Sequence, residues 1–199
     1  MPGLGTVLAF YRCGHYVELD KIDVAKSREF SITFFFLHSC PGQCCPCAIT
    51  PALINNFQKI NDVVGYFFQM DIKDGKIRFS SGTTKQQFYY YSAKISSGWH
   101  HVAVTLNAEY RKVQIYIDGK IQEVTKGHGN WYGVHSNPTF LGSWKYGDYF
   151  LGAMSELMFF KTILSEKQIQ ILSRNKTPSK LPNLLSVQNI FVTKLCTIL

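Results

Sequence analysis

Residues 96–106 read SSGWHHVAVTL and set His100 beside His101 inside an apolar run. Adjacent imidazoles are the raw material of a metal site, or of a general base beside a nucleophile. The alternation around them predicts a strand, and successive side chains on a strand leave on opposite faces. Trp99, His101, Ala103 and Thr105 then share one face, and His100, Val102, Val104 and Leu106 share the other. One ligand cannot meet both rings, so one or both are expected to pack with hydrogen-bonded nitrogens instead. A second reactive cluster is SCPGQCCPCAIT, with Cys40, Cys44, Cys45 and Cys47; Cys13 and Cys196 lie far from it in sequence. Zinc sites usually draw on two separated C-x2–4-C pairs. Four thiols this crowded are expected as disulfides or free thiols of an inserted loop rather than as a zinc site.

Two glycine-rich stretches carry the residues best suited to recognition. GHGNWYG, residues 127–133, holds His128, Asn130, Trp131 and Tyr132, and GSWKYGDYF, residues 142–150, holds Trp144, Lys145, Tyr146, Asp148 and Tyr149. Aromatic faces stack on the C–H faces of sugars and also anchor protein interfaces. The polar neighbours supply hydrogen bonds. The alternative is that these rings cap the ends of a core.

The elements that position such residues are mostly strands. FSITFFFL puts Phe30, Ile32, Phe34 and Phe36 on one face and Ser31, Thr33 and Phe35 on the other. Asp74-Gly75 and Asp118-Gly119 each separate two strand-like runs, the signature of a tight hairpin with both turn residues at positive φ. One helix is expected in ILSEKQIQILSRNK: Ser165 is an N-cap, Gln168 completes a capping box, and Leu164 and Ile169 form a hydrophobic staple. Many short strands and one short helix indicate an all-β antiparallel sandwich or jelly roll.

The composition fits one folded domain. The 199 residues are 46 % hydrophobic and 17 % charged, with 15 Phe, 11 Tyr and 3 Trp. The net charge of +8 is scattered rather than gathered into a stripe, so no nucleic-acid partner is expected. No run of eighteen apolar residues predicts a membrane span, and the start lacks the basic and apolar regions of a signal peptide. Asn175-Lys176-Thr177 is a glycosylation sequon that matters only in the secretory path. The apolar segment 179–199 has no clear period: an added strand, the start of another unit and a tail are all open.

Three stretches carry a family resemblance. GTVLAFYRCGHYVELDKIDVAKSREFSITFFF is similar to the opening of laminin G-like, concanavalin A-like jelly rolls. SSGWHHVAVTLNAEYRKVQIYIDGKIQEV resembles their central hairpin, and PTFLGSWKYGDYFLGAMSELMFFKTILSEKQIQIL their closing strand and helix. Together they span about residues 5–175 and leave 176–199 as a C-terminal tail. Pentraxins share this broad architecture, but Ala103 stands where their strand carries cysteine, so the general module fits better. The resemblance implies a two-sheet antiparallel jelly-roll sandwich with one short C-terminal helix. It implies a non-catalytic module that binds carbohydrate or protein at or outside a cell surface, with a structural domain of a larger surface or fibre protein as the alternative.

Some relatives cleave polysaccharides with paired carboxylates on a central strand. The nearest match here, Glu18, Asp20 and Asp23, runs off a strand into a loop, and a glycosidase is not expected. Calcium is common in the family, but Tyr11 and His15 occupy the opening turn and Ser155 the closing strand where acids would stand. Asp148 and Glu156 are the remaining candidate metal ligands, and calcium binding is in doubt.

Overall fold

A computed structural model describes residues 7–19, 29–38, 50–56, 59–60, 63–64, 67–82, 87–107, 109–110, 112–122, 125–126, 139–143, 148–174 and 192–196. Two antiparallel sheets pack face to face. The first holds β1 (Val7–Phe10), β15 (Gly152–Phe160), β3 (Glu29–His38), β10 (Gly98–Asn107), β11 (Lys112–Ile117) and β12 (Lys120–Ile121), in that spatial order. The second is ordered β13 (Thr125–Lys126), β9 (Gln87–Lys94), β8 (Lys76–Gly82), β7 (Phe67–Lys73), β4 (Ala52–Asn55), β14 (Thr139–Leu141), β2 (Tyr16–Leu19) and β16 (Val192–Cys196). A separate short hairpin joins β5 (Lys59–Ile60) to β6 (Val63–Val64). The segment after the helix therefore contributes a strand, with Cys196 opposite Tyr16 at the sheet edge.

The expected period-two faces meet in the core. Phe30, Ile32, Phe34 and Phe36 of β3 join Val102, Val104 and Leu106 of β10 and Val113, Ile115 and Ile117 of β11. Across the sandwich they face Val17, Leu19, Met70, Ile72, Ile77, Phe79 and Leu141. Fully burying one such side chain is worth about 1.5–3 kcal/mol relative to exposure. Both hairpin turns form as expected: Asp74 and Gly75 have φ of 54° and 71°, and Asp118 and Gly119 have φ of 52° and 77°.

Helix α1, Glu166–Leu172, closes the outer face of the six-stranded sheet. Ser165 caps it by accepting from the Gln168 N–H, and the capping box is complete. Leu164, Ile169 and Leu172 pack on Ala103, Tyr116, Met158 and Phe160. The entry to the helix is pinned by Ser31 Oγ, which accepts from Leu164 N at 2.9 Å and donates to Thr162 O at 2.8 Å. The helix ends at Leu172, and the Ser173 N–H donates to the Ile169 carbonyl at its C-cap.

Candidate functional site

The histidine pair divides as strand alternation requires. His100 lies on the core side, its ring 6.1 Å from that of Phe36, while His101 lies on the outer side, 4.9 Å from the Phe35 ring. The Asp118 carboxylate ties both together. One oxygen is 2.8 Å from His100 Nδ1, and the other accepts the His101 backbone N–H at 2.9 Å. This is why WHH and DG occur together: the Asp118–Gly119 turn of the β11–β12 hairpin clamps the neighbouring strand.

His100 Nε2 stands 3.2 Å from Ser96 Oγ and 3.0 Å from the Ser96 carbonyl, which His38 Nδ1 also meets at 3.0 Å. The connectivity Ser96–His100–Asp118 imitates a nucleophile, base and orienting acid. Its contacts tie His100 of β10 both to the Ser96 segment and to the Asp118 turn, and so brace one strand against its neighbours. The expectation that one or both rings pack with hydrogen-bonded nitrogens is met by His100. Among the described residues neither ring nitrogen of His101 has a partner.

The expected recognition loops fall largely outside the described residues: His128, Asn130, Trp131, Tyr132, Trp144, Lys145 and Tyr146 all lie there, as do Cys40, Cys44, Cys45, Cys47, Asp20, Asp23 and Asn175. Asp148 and Tyr149 are described. The Asp148 carbonyl accepts the Ala52 N–H at 3.0 Å, and Tyr149 forms a parallel bridge with Ala52 at the start of β4. Glu156 sits instead in the bulge of β15, in the other sheet, with φ of 52°. Asp148 and Glu156 are thus held by different sheets. A calcium shell of six to eight oxygens would need ligands beyond these two, and among the described residues no three His, Cys, Asp or Glu gather.

Tyr149 leads to a row that sequence reasoning passed over. Ala52 is in register with Asp71, Asp71 with Arg78, and Arg78 with Tyr91. This row crosses the outer face of the eight-stranded sheet, because the alternate residues Met70, Ile72, Ile77, Phe79 and Tyr90 fill the core. Arg78 grips fully buried Asp71 with two nitrogens, Nε at 2.8 and 3.1 Å and Nη2 at 2.6 Å. Such a bidentate pair is both strong and fixed in direction. The guanidinium lies 5.2 Å from the centre of the Tyr89 ring, which is 6.4 Å from the Tyr91 ring. Burial opposes the charge on Arg78, but Asp71 and Tyr91 outweigh it and hold its pKa above the ordinary value. The result is a polar, aromatic, rigid platform whose charges cancel internally.

The signal for this platform was present in MDIKDGKIRF. A two-residue turn at Asp74-Gly75 places Lys73 opposite Lys76 and therefore Asp71 opposite Arg78. The run Tyr89-Tyr90-Tyr91 on a strand must put its outer two rings on one face and the middle ring on the other.

A family profile described as the concanavalin A-like lectin/glucanases superfamily, of laminin G type, matches residues 13–170. The chain belongs to this superfamily. No curated protein matches it. Among solved structures, the native heptameric SAP-like pentraxin from Limulus polyphemus superposes with a TM-score of 0.64 at 13 % identity, covering 93 % of this chain and 88 % of the pentraxin. The binding domain of botulinum neurotoxin serotype D/C (VPI 5993) gives a TM-score of 0.58 at 14 % identity, covering 80 % of this chain and 40 % of that domain. The serotype D binding domain gives 0.55 at 15 % identity, covering 84 % and 41 %. The chain spans only about two fifths of either toxin domain. At these identities the likeness is one of fold, and the superfamily match supports a ligand-binding module in general.

Proposed function

We propose that the chain is a non-catalytic recognition module that binds carbohydrate on the outer face of the eight-stranded sheet. The observation that carries this reading is the row Ala52–Asp71–Arg78–Tyr91 with Tyr89 beside it. Two half-buried rings on one strand offer faces for sugar C–H groups. A guanidinium locked by Asp71 offers direction without net charge.

The aromatic loops belong to this sheet by connectivity. Residues 127–138 join β13, paired with β9 at Tyr90 and Tyr91, to β14, five places away in the same sheet. Tyr149 borders the far end of the row. Trp131, Tyr132, Trp144 and Tyr146, with His128, Asn130 and Asp148, remain candidate ligand contacts from their residue types alone.

The superfamily description spans lectins and glucanases, and the described carboxylates favour the former. Glycoside hydrolysis needs two carboxyl groups free to act about 5–5.5 Å apart for retention and about 6.5–9.5 Å apart for inversion. Asp71 is buried and committed to Arg78, and Asp118 is committed to the two histidines.

The proposed place of action is at or outside the cell surface. Cys13 is disulfide-bonded, which suits an oxidising compartment. No helix among the described residues is long and apolar enough to cross a membrane.

A glycan array probed with and without calcium tests the reading. Retained glycan signal in EDTA that falls in Trp131→Ala/Trp144→Ala supports it. Binding that survives that double substitution removes the loops from the site, and an array blank in both conditions, with protein ligands captured instead, overturns the carbohydrate assignment. Release of reducing sugar from β-glucans would overturn the non-catalytic part.

A further inference from the structure

His101 is 1 % exposed, and neither of its ring nitrogens has a hydrogen-bond partner among the described residues. A buried imidazole in that state is tolerable only while neutral. Its position makes the cost local. It lies on the outer face of the six-stranded sheet, two residues from Ala103, which packs beneath α1. Its backbone N–H is tied to Asp118, and the next residue, Gly119, carries the end of the helix. A Cβ on Gly119 would stand 2.6 Å from Ser173 Oγ and 3.3 Å from Gln170 Cα. The His101 backbone is therefore tied to the Asp118–Gly119 turn, and that turn in its own right abuts the end of α1.

We propose that His101 is an acid-sensitive latch: proton uptake by its ring loosens α1 and the turn beneath it while the sandwich core stays folded. The groups facing this region limit the response without cancelling it. Asp118, on the turn, attracts the proton, but its two oxygens are already engaged by the His101 N–H and by His100 on the opposite face. Burial raises the Tyr116 pKa on β11 and the charge of Glu166 on α1 adds to it, so the phenol stays neutral. Phe35 on β3 and its partner Ser155 on β15 bring no charge, and Glu156 follows in the bulge.

The direction of the effect follows from linkage. Burial, opposed by Asp118, lowers the His101 pKa from 6.5 to about 4. Above 6.5 the ring is neutral whether the region is closed or open. As pH falls below 6.5 the open form takes up the proton first, and the closed form loses stability progressively until about pH 4. The gap sets a ceiling on the order of a hundredfold on the shift in the opening equilibrium.

Hydrogen exchange of the intact chain between pH 7 and 4.5, corrected for the intrinsic rate, reads the latch. The α1 amides should lose protection roughly tenfold or more relative to β3 and β10, and His101→Phe should abolish the pH dependence while His100→Gln should not. The same pH dependence in His101→Phe, or equal loss across β3 and α1, overturns the proposal. Should His101→Phe fail to fold, NMR of the His101 ring in the unaltered protein decides. Titration well below the ordinary imidazole range supports the latch, and titration near 6.5 refutes it.

Discussion

The outer faces of the two sheets are built on opposite plans. On the six-stranded sheet the outward residues Ala103, Tyr116, Met158 and Phe160 are apolar and α1 closes over them. On the eight-stranded sheet the outward row is Asp71, Arg78 and Tyr91, with Tyr89 alongside, and it presents fixed polar groups and rings. The first face exists to be covered, and a break in it should be felt as lost stability. The second holds its polar groups in defined directions, and a break in its rings should be felt as lost binding.

The contrast can be broken most severely at Arg78. Arg78→Ala leaves a fully buried carboxylate without its cation, and unfolding in urea should show a loss of about 3–5 kcal/mol. The double variant Asp71→Ala/Arg78→Ala should recover much of it, because no buried charge remains. On the closed face, Ile169→Ala should cost about 2–5 kcal/mol by cavity formation and leave glycan binding unchanged. Gly119→Ala places a methyl group against the helix end at φ of 77°, and a loss of about 1–3 kcal/mol is expected. The smallest effect is Ser165→Ala, which removes the N-cap and should cost about 1 kcal/mol, read as a modest drop in Tm.

Most of the closed face was legible in the sequence. The capping box at Ser165 and Gln168, the staple at Leu164 and Ile169 and the alternation of β3 and β10 are local patterns, and local patterns survive into the fold. Which of the two histidines lacks a partner was not legible. Alternation gave the face of His101, but the absence of a partner depends on which side chains from β3 and β11 reach it. The recognition face was harder to see because its parts are non-local. The pairing Asp71–Arg78 is implied by the Asp74–Gly75 turn. Its junction with Tyr91 depends on the register between β8 and β9, and its junction with Tyr149 on a bridge between segments about a hundred residues apart. The loop aromatics Trp131 and Trp144 drew notice because glycine surrounds them. Tyr89 and Tyr91 sit in an ordinary strand, where a ring reads as core unless its partner across the sheet is known.

The central claim is that the outer face of the eight-stranded sheet is the recognition surface. The most direct measurement is the affinity of Tyr89→Ala/Tyr91→Ala for the best array glycan, beside its unfolding free energy. Removal of two anchoring rings should weaken binding by about 2 kcal/mol or more, roughly thirtyfold in Kd, with the fold retained. Unchanged affinity in a folded double variant would contradict the account.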